Sequence, residues 1–167
     1  MDTAPASSLA NPNAQRAVLT AGLVAGTLDI LAACTQFYLN TGKNPVIVLK
    51  YVASGAFGAT ALSGGTAVAV WGLVFHFMIA FGFTIFFFLI YPRIPLIAKN
   101  KWITAIAYGL FAWLVMNLLV VPESQIPKKV IHMNLQTIIG MVILICMIGL
   151  PITVIIGNYF SKKKEAE

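Results

Sequence analysis

Two titratable side chains stand inside long apolar stretches of this 167-residue chain and have the types needed for proton chemistry. Asp29 lies in "GLVAGTLDILAAC", residues 22–34, and His76 lies in "TAVAVWGLVFHFMIAFGFTIFFFLIY", residues 66–91. A lone carboxylate in a medium of low dielectric favours its neutral form, whereas a nearby imidazolium favours the ionised form. An Asp–His pair in such surroundings is suited to bind and release a proton near physiological pH.

The depth of these polar groups follows from the rise of about 1.5 Å per residue along an α-helix. Counted from Ala17, Asp29 lies roughly 18 Å into the first apolar run, and His76 lies roughly 15 Å from the start of the second. A fairly short connection favours neighbouring antiparallel helices, so both side chains are predicted at similar depth. Asn117 in the third run is predicted nearer the outer side, roughly 6 Å from Val121.

A structural role for Asp29 is the alternative to a working proton site. In that case its carboxyl group is protonated, or is hydrogen-bonded to Gln36, Thr35 or a backbone group, and holds the helices together. Spacings of three and four place it on one helical face with Gly22, Gly26, Ala33 and Gln36. Gly22 and Gly26 form a GxxxG pair, which predicts helix packing through close approach of a neighbouring backbone.

Four apolar runs have to position these groups. The chain is 59% hydrophobic and 10% charged, whereas soluble domains average about 45–50% and about 25%. This composition excludes an ordinary water-soluble globule. The runs cover residues of about 17–39, 66–91, 102–121 and 135–160, and each is long enough to cross a hydrocarbon core of about 30 Å. We therefore predict an all-α membrane protein in which residues 16–161 form a four-span domain.

The segments outside the runs are predicted to be two tails and one short helix. Residues 1–15, rich in Ala, Ser, Pro and Asn, have too little apolar surface to fold and are expected to form a disordered tail, and residues 162–167 a solvated one. The sequence predicts a helix over about residues 45–58, which is capped by Asn44 and has Pro45 at its first position. This helix is too short to span, so an in-plane or re-entrant helix in the first outer loop is expected. A hydrophobic loop packed on the bundle is the alternative.

The distribution of basic residues predicts the orientation of the spans. The side that holds both termini carries seven Lys and Arg, namely Arg16, Arg93, Lys99, Lys101, Lys162, Lys163 and Lys164. The other side carries four, namely Lys43, Lys50, Lys128 and Lys129. The excess predicts cytoplasmic termini. Because these residues lie between apolar runs and form no stripe on a soluble face, the expected partner is the lipid bilayer and not nucleic acid.

Common catalytic motifs are absent from the sequence. It contains no GxSxG, HExxH, P-loop or CxxC, so we predict no enzyme and no catalytic, cofactor or metal-binding residues. Haem ligation by His76 and His132 is not expected, because His132 precedes the fourth run and lies roughly 15 Å from the level of His76.

The two cysteines also lie in apolar runs. Cys34 and Cys146 are expected to be unpaired buried thiols. Residues 31–34, "LAAC", match a loose lipobox, but Asp29 falls within its hydrophobic segment and no basic residue precedes Arg16. These features argue against a lipoprotein signal and favour a chance match within an Ala-rich helix.

Two segments together with the Gly-rich first span carry a family resemblance. They are "HFMIAFGFTIFFFLIYPRI", His76–Ile94, and "YGLFAWLVMNLLVVPESQIP", Tyr108–Pro127. In these segments the chain resembles the small bacterial inner-membrane proteins of the YagU type. The resemblance implies an inner-membrane location and a connection with acid tolerance, without an assigned chemistry.

Three functions remain open on the sequence. The first is a structural or interaction role in the membrane, with Asp29, His76 and Asn117 stabilising helix contacts. The second is a small proton-linked transporter or permeation unit for an unknown small molecule or ion, expected to be a homo-oligomer because four helices enclose little room. A membrane-embedded enzyme is third. A cavity that reaches Asp29 and His76 would favour transport, whereas a tightly packed centre would favour the structural role.

Overall fold

The computed structural model describes residues 11–93, 100–125 and 135–166, and these residues contain helices and no strand. The helices are α1 (Pro12–Thr41), α2 (Val46–Phe57), α3 (Thr66–Ile90, followed by a 3-10 turn at Tyr91–Arg93), α4 (Lys101–Val115, continuing to Glu123) and α5 (Leu135–Leu144, continuing to Ala166). Four of these described helices, α1, α3, α4 and α5, are long and apolar enough to cross a membrane. The predicted all-helical architecture is thus confirmed, with four helices that could span a membrane.

Helix α1 begins earlier than the apolar run suggested. The side chain of Asn11 accepts a hydrogen bond of 2.8 Å from the backbone N–H of Asn13, and Pro12 occupies the first helical position. This is a regular helix start, in which the side-chain cap satisfies one of the first free N–H groups and proline has no N–H to satisfy. Residues 12–15 are therefore helical instead of part of a disordered tail, and residues 1–10 lie outside the described residues.

Helix α5 also extends beyond its predicted end. The helix continues from the expected boundary at residue 160 to Ala166 and includes the three lysines 162–164. Lysines have good helix propensity and are favourable in the last turn, where they face the negative end of the helix dipole. The solvated tail predicted for residues 162–167 is thus helical up to residue 166.

Helix α2 packs directly on α3. The Asn44 side chain accepts a hydrogen bond of 2.9 Å from Val46 N–H at its start. Gly58 follows its end with φ +73°, a left-handed conformation that glycine adopts readily. A Cβ atom at Gly72 of α3 would lie only 1.9 Å from the carbonyl oxygen of Leu49, so the two backbones are in contact. The short predicted helix is present, and glycine allows its close approach to the bundle.

Wider, π-helical turns interrupt α4 at Met116–Val120 and α5 at Ile145–Gly149. Each ends two residues before a proline, Pro122 in α4 and Pro151 in α5. Because proline has no N–H and its ring clashes with the carbonyl of residue i−4, it disrupts the preceding α-helical hydrogen bonds. In both helices the residue before proline bonds five residues back, Val121 to Met116 and Leu150 to Ile145. The irregularity before Pro151 in α5 therefore takes the form of a π-turn, and α4 has the same irregularity before Pro122.

The spans are arranged so that α1 packs between α3 and α5, and α4 packs against α5. The α4–α5 contact depends on glycines. A Cβ at Gly149 would lie 2.2 Å from the carbonyl oxygen of Ala105, and one at Gly109 would lie 2.4 Å from Cα of Ile145. Close backbone approach at small residues is the usual way in which helices associate in lipid, where no hydrophobic force drives them together.

The buried core lies at the end of the bundle where α1 begins and α5 ends, which we call the terminal end. Ala14 and Val18 of α1 belong to the same buried cluster as Ile152 and Ile156 of α5. Aromatic rings fill the space between α3 and the other spans, with centroid distances of 4.5 Å for Phe87–Tyr108 and 4.9 Å for Tyr91–Phe160. The opposite end, where α2 lies, is called the α2 end.

Candidate functional site

A cavity of about 650 Å³ lies among the five helices towards the α2 end. Its lining extends from Phe83 and Ile148 near mid-bundle to Pro122, close to the end of α4, and includes Tyr51 and Val52 of α2. Polar side chains on its wall are those of Asp29, Gln36, His76, Asn117, Gln136 and Thr137. The three residues singled out from the sequence, Asp29, His76 and Asn117, thus meet at one cavity although they come from three different spans.

His76 is held in place by the backbone of α1. Its Nε2 atom lies 2.8 Å from the carbonyl oxygen of Gly26. Since a carbonyl oxygen only accepts, Nε2 carries the hydrogen and donates it, which leaves Nδ1 as the nitrogen that can take up a further proton. The bond fixes the position of the ring one helical turn from Asp29, because Gly26 and Asp29 are three residues apart.

Asp29 is partly buried and lines the same cavity as His76. It accepts no hydrogen bond from the described residues. The side chains considered as its alternative partners are engaged elsewhere, because Thr35 donates to the Leu31 carbonyl at 2.8 Å and Gln36 donates to Gln136 at 3.3 Å. The carboxyl group therefore faces the cavity instead of closing a hydrogen-bonded contact with these residues.

Asn117 lies within the π-turn of α4. Its side-chain amide donates a hydrogen bond of 2.9 Å to the carbonyl oxygen of Trp113, four residues earlier. The N–H of Val121 bonds to Met116 instead of Asn117, and Pro122 has no N–H to give to Leu118. Two successive carbonyl groups of α4, those of Asn117 and Leu118, therefore lose their α-helical donors next to the cavity.

Three amide side chains connect α1 and α5 at the α2 end of the cavity. The Oε1 atom of Gln136 accepts from Asn40 Nδ2 at 2.7 Å and from Gln36 Nε2 at 3.3 Å, and Gln136 Nε2 donates back to Asn40 Oδ1 at 3.2 Å. Gln36 and Gln136 also line the cavity. We call Gln36, Asn40 and Gln136 the amide cluster.

A hydrogen bond between α3 and α4 marks the other limit of the cavity. The hydroxyl group of Tyr108 donates to the carbonyl oxygen of Phe83 at 2.5 Å, and Phe83 is among the lining residues. Tyr108 is 5% exposed and stacks at 5.7 Å on Phe111, while Phe87 lies 4.5 Å from it on the far side of the cavity floor. The polar space thus ends at a packed aromatic layer.

Gly22 and Gly26 pack against phenyl rings of α3 and not, as expected, against a neighbouring backbone. A Cβ at Gly22 would lie 2.4 Å from the ring of Phe81, and one at Gly26 would lie 2.8 Å from the ring of Phe77. The GxxxG face therefore accepts phenyl rings of α3, and not a neighbouring backbone, because α3 places its bulky side chains against α1. Close backbone contacts occur instead at Gly72, Gly109 and Gly149.

Three aromatic lining residues were not anticipated from the sequence, Tyr51, Phe83 and Trp113. The position of Trp113 could have drawn attention to it, because tryptophan is enriched at membrane interfaces whereas this one lies within the third span. Tyr51 lies outside the spans, and burial raises the pKa of its hydroxyl group, which stays neutral near pH 7. His132, the second histidine, lies outside the described residues.

Four apolar spans around a polar cavity define this chain as an all-helical, multi-pass membrane protein. No protein family, curated protein or solved structure matches it. The role of the cavity therefore has to be derived from its own residues.

Proposed function

We propose that the protein is a small proton-linked transporter or permeation unit in which Asp29 and His76 bind the proton. The observation that carries this proposal is the cavity of about 650 Å³ that reaches both side chains. Ionisable groups inside the membrane are costly and mark proton or substrate pathways when they face a cavity. The geometry also supplies two separate proton acceptors, the Asp29 carboxylate and Nδ1 of His76.

The structural role, which the sequence favoured first, gains less support from these contacts. A carboxyl group that stabilises helix association is expected to be hydrogen-bonded across the interface. Asp29 instead accepts no hydrogen bond from the described residues, and its candidate partners Thr35 and Gln36 bond elsewhere. An acid beside a cavity in the membrane lowers the stability of the fold, so a purely structural role does not explain Asp29. A proton-binding function does explain it.

The two ends of the bundle suggest how a proton would reach and leave the pair. The cavity extends towards the α2 end, whereas aromatic packing around Tyr108 and Phe87 fills the terminal end. In our proposal the described arrangement admits protons from the α2 end. Release at the terminal end then requires α3 and α4 to separate at the Tyr108–Phe83 hydrogen bond.

The proposal includes a location and a topology. The charge bias supports cytoplasmic termini, and the YagU-type resemblance supports a bacterial inner membrane. With this orientation the α2 end faces outward, α2 lies in the plane of the outer surface, and the cavity accepts protons from the outer side. The protein would function as a homo-oligomer, since the cavity that four spans enclose is small.

Reconstitution in liposomes tests the function directly. Vesicles loaded with a pH-sensitive dye, with potassium and valinomycin to remove any electrical potential, receive an external acid pulse. The wild type should acidify the interior faster than protein-free vesicles, and Asp29→Asn should return the rate to the protein-free level. Glu123→Gln is the matched control, because it also changes an acid to an amide but lies outside the cavity lining, and it should keep the wild-type rate. Full activity in Asp29→Asn, or a wild type no faster than empty vesicles, would refute the proposal.

A further inference from the structure

The cavity wall has an unbalanced charge composition. Among the described lining residues Asp29 is the one acid, and there is no lysine or arginine. The nearest source of positive charge is His76, whose Nε2–H is already committed to the Gly26 carbonyl. On the described part of the wall an anion would meet a carboxylate and no lysine or arginine, whereas a single positive charge would find a counter-ion.

Aromatic side chains occupy other parts of the same wall. Tyr51 comes from α2, Phe83 from α3 and Trp113 from α4, and the remaining lining of α5 is mostly aliphatic, including Ile143, Leu144 and Ile148. Aromatic faces attract cations electrostatically, and aliphatic groups favour an apolar ligand body. A volume of about 650 Å³ falls within the range of about 300–1,000 Å³ that is typical of sites for small organic ligands.

From this combination we propose that the cavity binds a monovalent amphipathic organic cation, with its charge against Asp29 and its apolar body against Tyr51, Phe83 and Trp113. The inference rests on the proposed function and names the substrate class of the same site. A single carboxylate matches one positive charge. A cation whose charge is delocalised or shielded by carbon is favoured over a small inorganic ion, because it loses less hydration on entering an apolar wall.

Competition with protons follows from the groups that face the cavity. Among the described lining residues the titratable side chains are Asp29 of α1, His76 of α3 and Tyr51 of α2, and the described lining of α4 and α5 contributes none. Protonation of Asp29 removes the counter-ion of the ligand, and protonation of His76 at Nδ1 adds a repelling charge. Tyr51 stays neutral near pH 7. Both relevant protonations oppose cation binding, so affinity should fall as the pH is lowered, and the bound cation should displace a proton.

The test uses two probes of the same shape and opposite charge, tetraphenylphosphonium and tetraphenylborate. Binding of each to the purified full-length protein in detergent is measured by titration calorimetry, with protein-free micelles as the blank. The wild type should bind the phosphonium and not the borate, with weaker phosphonium binding at acidic pH. Asp29→Asn should weaken phosphonium binding by at least about tenfold, whereas Asp29→Glu keeps the charge and should retain most of it. Trp113→Leu should cost about threefold to thirtyfold.

Two outcomes would overturn the inference: equal binding of both probes by the wild type, or unchanged phosphonium affinity in Asp29→Asn. The comparison of probes on the wild type does not depend on whether a variant folds. Failure here is distinguishable from failure of the proposed function. Proton flux without discrimination between the probes contradicts the substrate class alone, whereas selective cation binding without proton flux contradicts proton-linked transport alone.

Discussion

The imidazole of His76 on α3 donates a hydrogen bond of 2.8 Å to the carbonyl oxygen of Gly26 on α1, one helical turn from Asp29. This bond connects the two spans and fixes the protonated nitrogen of the ring. It also holds the two side chains at the wall of one cavity although no hydrogen bond joins them. The position of Nδ1, the ring nitrogen left without a hydrogen, is thus set by a backbone atom that no side-chain substitution on α1 removes.

Replacing His76 should separate its structural role from its titration. In His76→Gln the side-chain amide retains a donor that can reach the Gly26 carbonyl, whereas His76→Leu has none. We expect His76→Leu to lose about 0.5–1.5 kcal/mol of stability, measured by thermal unfolding in detergent, and His76→Gln to lose less. Both should lower the rate of proton flux in liposomes, because neither can bind a proton. A proton flux unchanged in His76→Gln would contradict a role for the imidazole.

The amide cluster should control access to the cavity from the α2 end. Gln136 makes three hydrogen bonds to Gln36 and Asn40, so Gln136→Leu removes all the bonds of the cluster in one step. We expect this variant to exchange the amide protons of α1 near Asn40 faster and to bind tetraphenylphosphonium with faster association. Thr35→Val is a control, since Thr35 bonds only within its own helix. Equal association rates in Gln136→Leu and the wild type would exclude a gating role.

The sequence predicts those features that depend on local pattern. Run length and apolar composition gave the four spans, and the helical rise alone placed Asp29 and His76 at matching depth. Features that depend on which helices are neighbours could not be predicted in this way. The bond from Gln136 to Asn40, 96 residues away, requires α1 and α5 to be adjacent, and no pattern in either segment encodes that adjacency.

Helix irregularities and packing surfaces were harder to predict for a second reason. A proline near a helix end is compatible with a kink, a stop or a π-turn, and the choice depends on contacts with other helices. The pair Gly22 and Gly26 fits the GxxxG pattern, whereas the closest backbone contacts involve the isolated glycines at 72, 109 and 149. Spacing identified small residues on one face, but only the partner helix determines whether a ring or a backbone fills the space.

Adding a methyl group at Gly149 should force α4 and α5 apart. The new Cβ would lie 2.2 Å from the backbone carbonyl of Ala105, an atom that cannot rotate away. We expect Gly149→Ala to lose about 1–3 kcal/mol, measured as a lower unfolding temperature in detergent, and to lower proton flux because Ile148 of the cavity wall moves with the backbone. Gly82→Ala makes the same change where no atom lies within 4 Å and should be neutral. Equal unfolding temperatures for the two variants would contradict the observed α4–α5 contact.

Pro122 should be responsible for the orientation of Asn117 towards the cavity. Without an N–H at residue 122, Val121 bonds back to Met116 and the helix widens by one residue at Met116–Val120. In Pro122→Ala the new N–H can bond to Leu118, so the turn can close as a regular α-helix. Removing one residue from a helical turn rotates the segments on either side by about 100° relative to each other. Asn117 should then turn away from the cavity and lose its contact with any bound ligand.

Cysteine labelling measures this rotation. With Cys34 and Cys146 replaced by alanine, Asn117→Cys should react with a small water-soluble maleimide through the cavity, and tetraphenylphosphonium should slow the reaction. Adding Pro122→Ala should lower the labelling rate, whereas Pro12→Ala, which removes a proline at the start of α1 and outside the cavity lining, should leave it near that of the parent. If Pro122→Ala leaves both the labelling rate and its protection by the cation unchanged, the π-turn does not orient Asn117. A lower rate in that variant alone would show that the backbone N–H missing at Pro122 sets the orientation of Asn117 at the cavity wall.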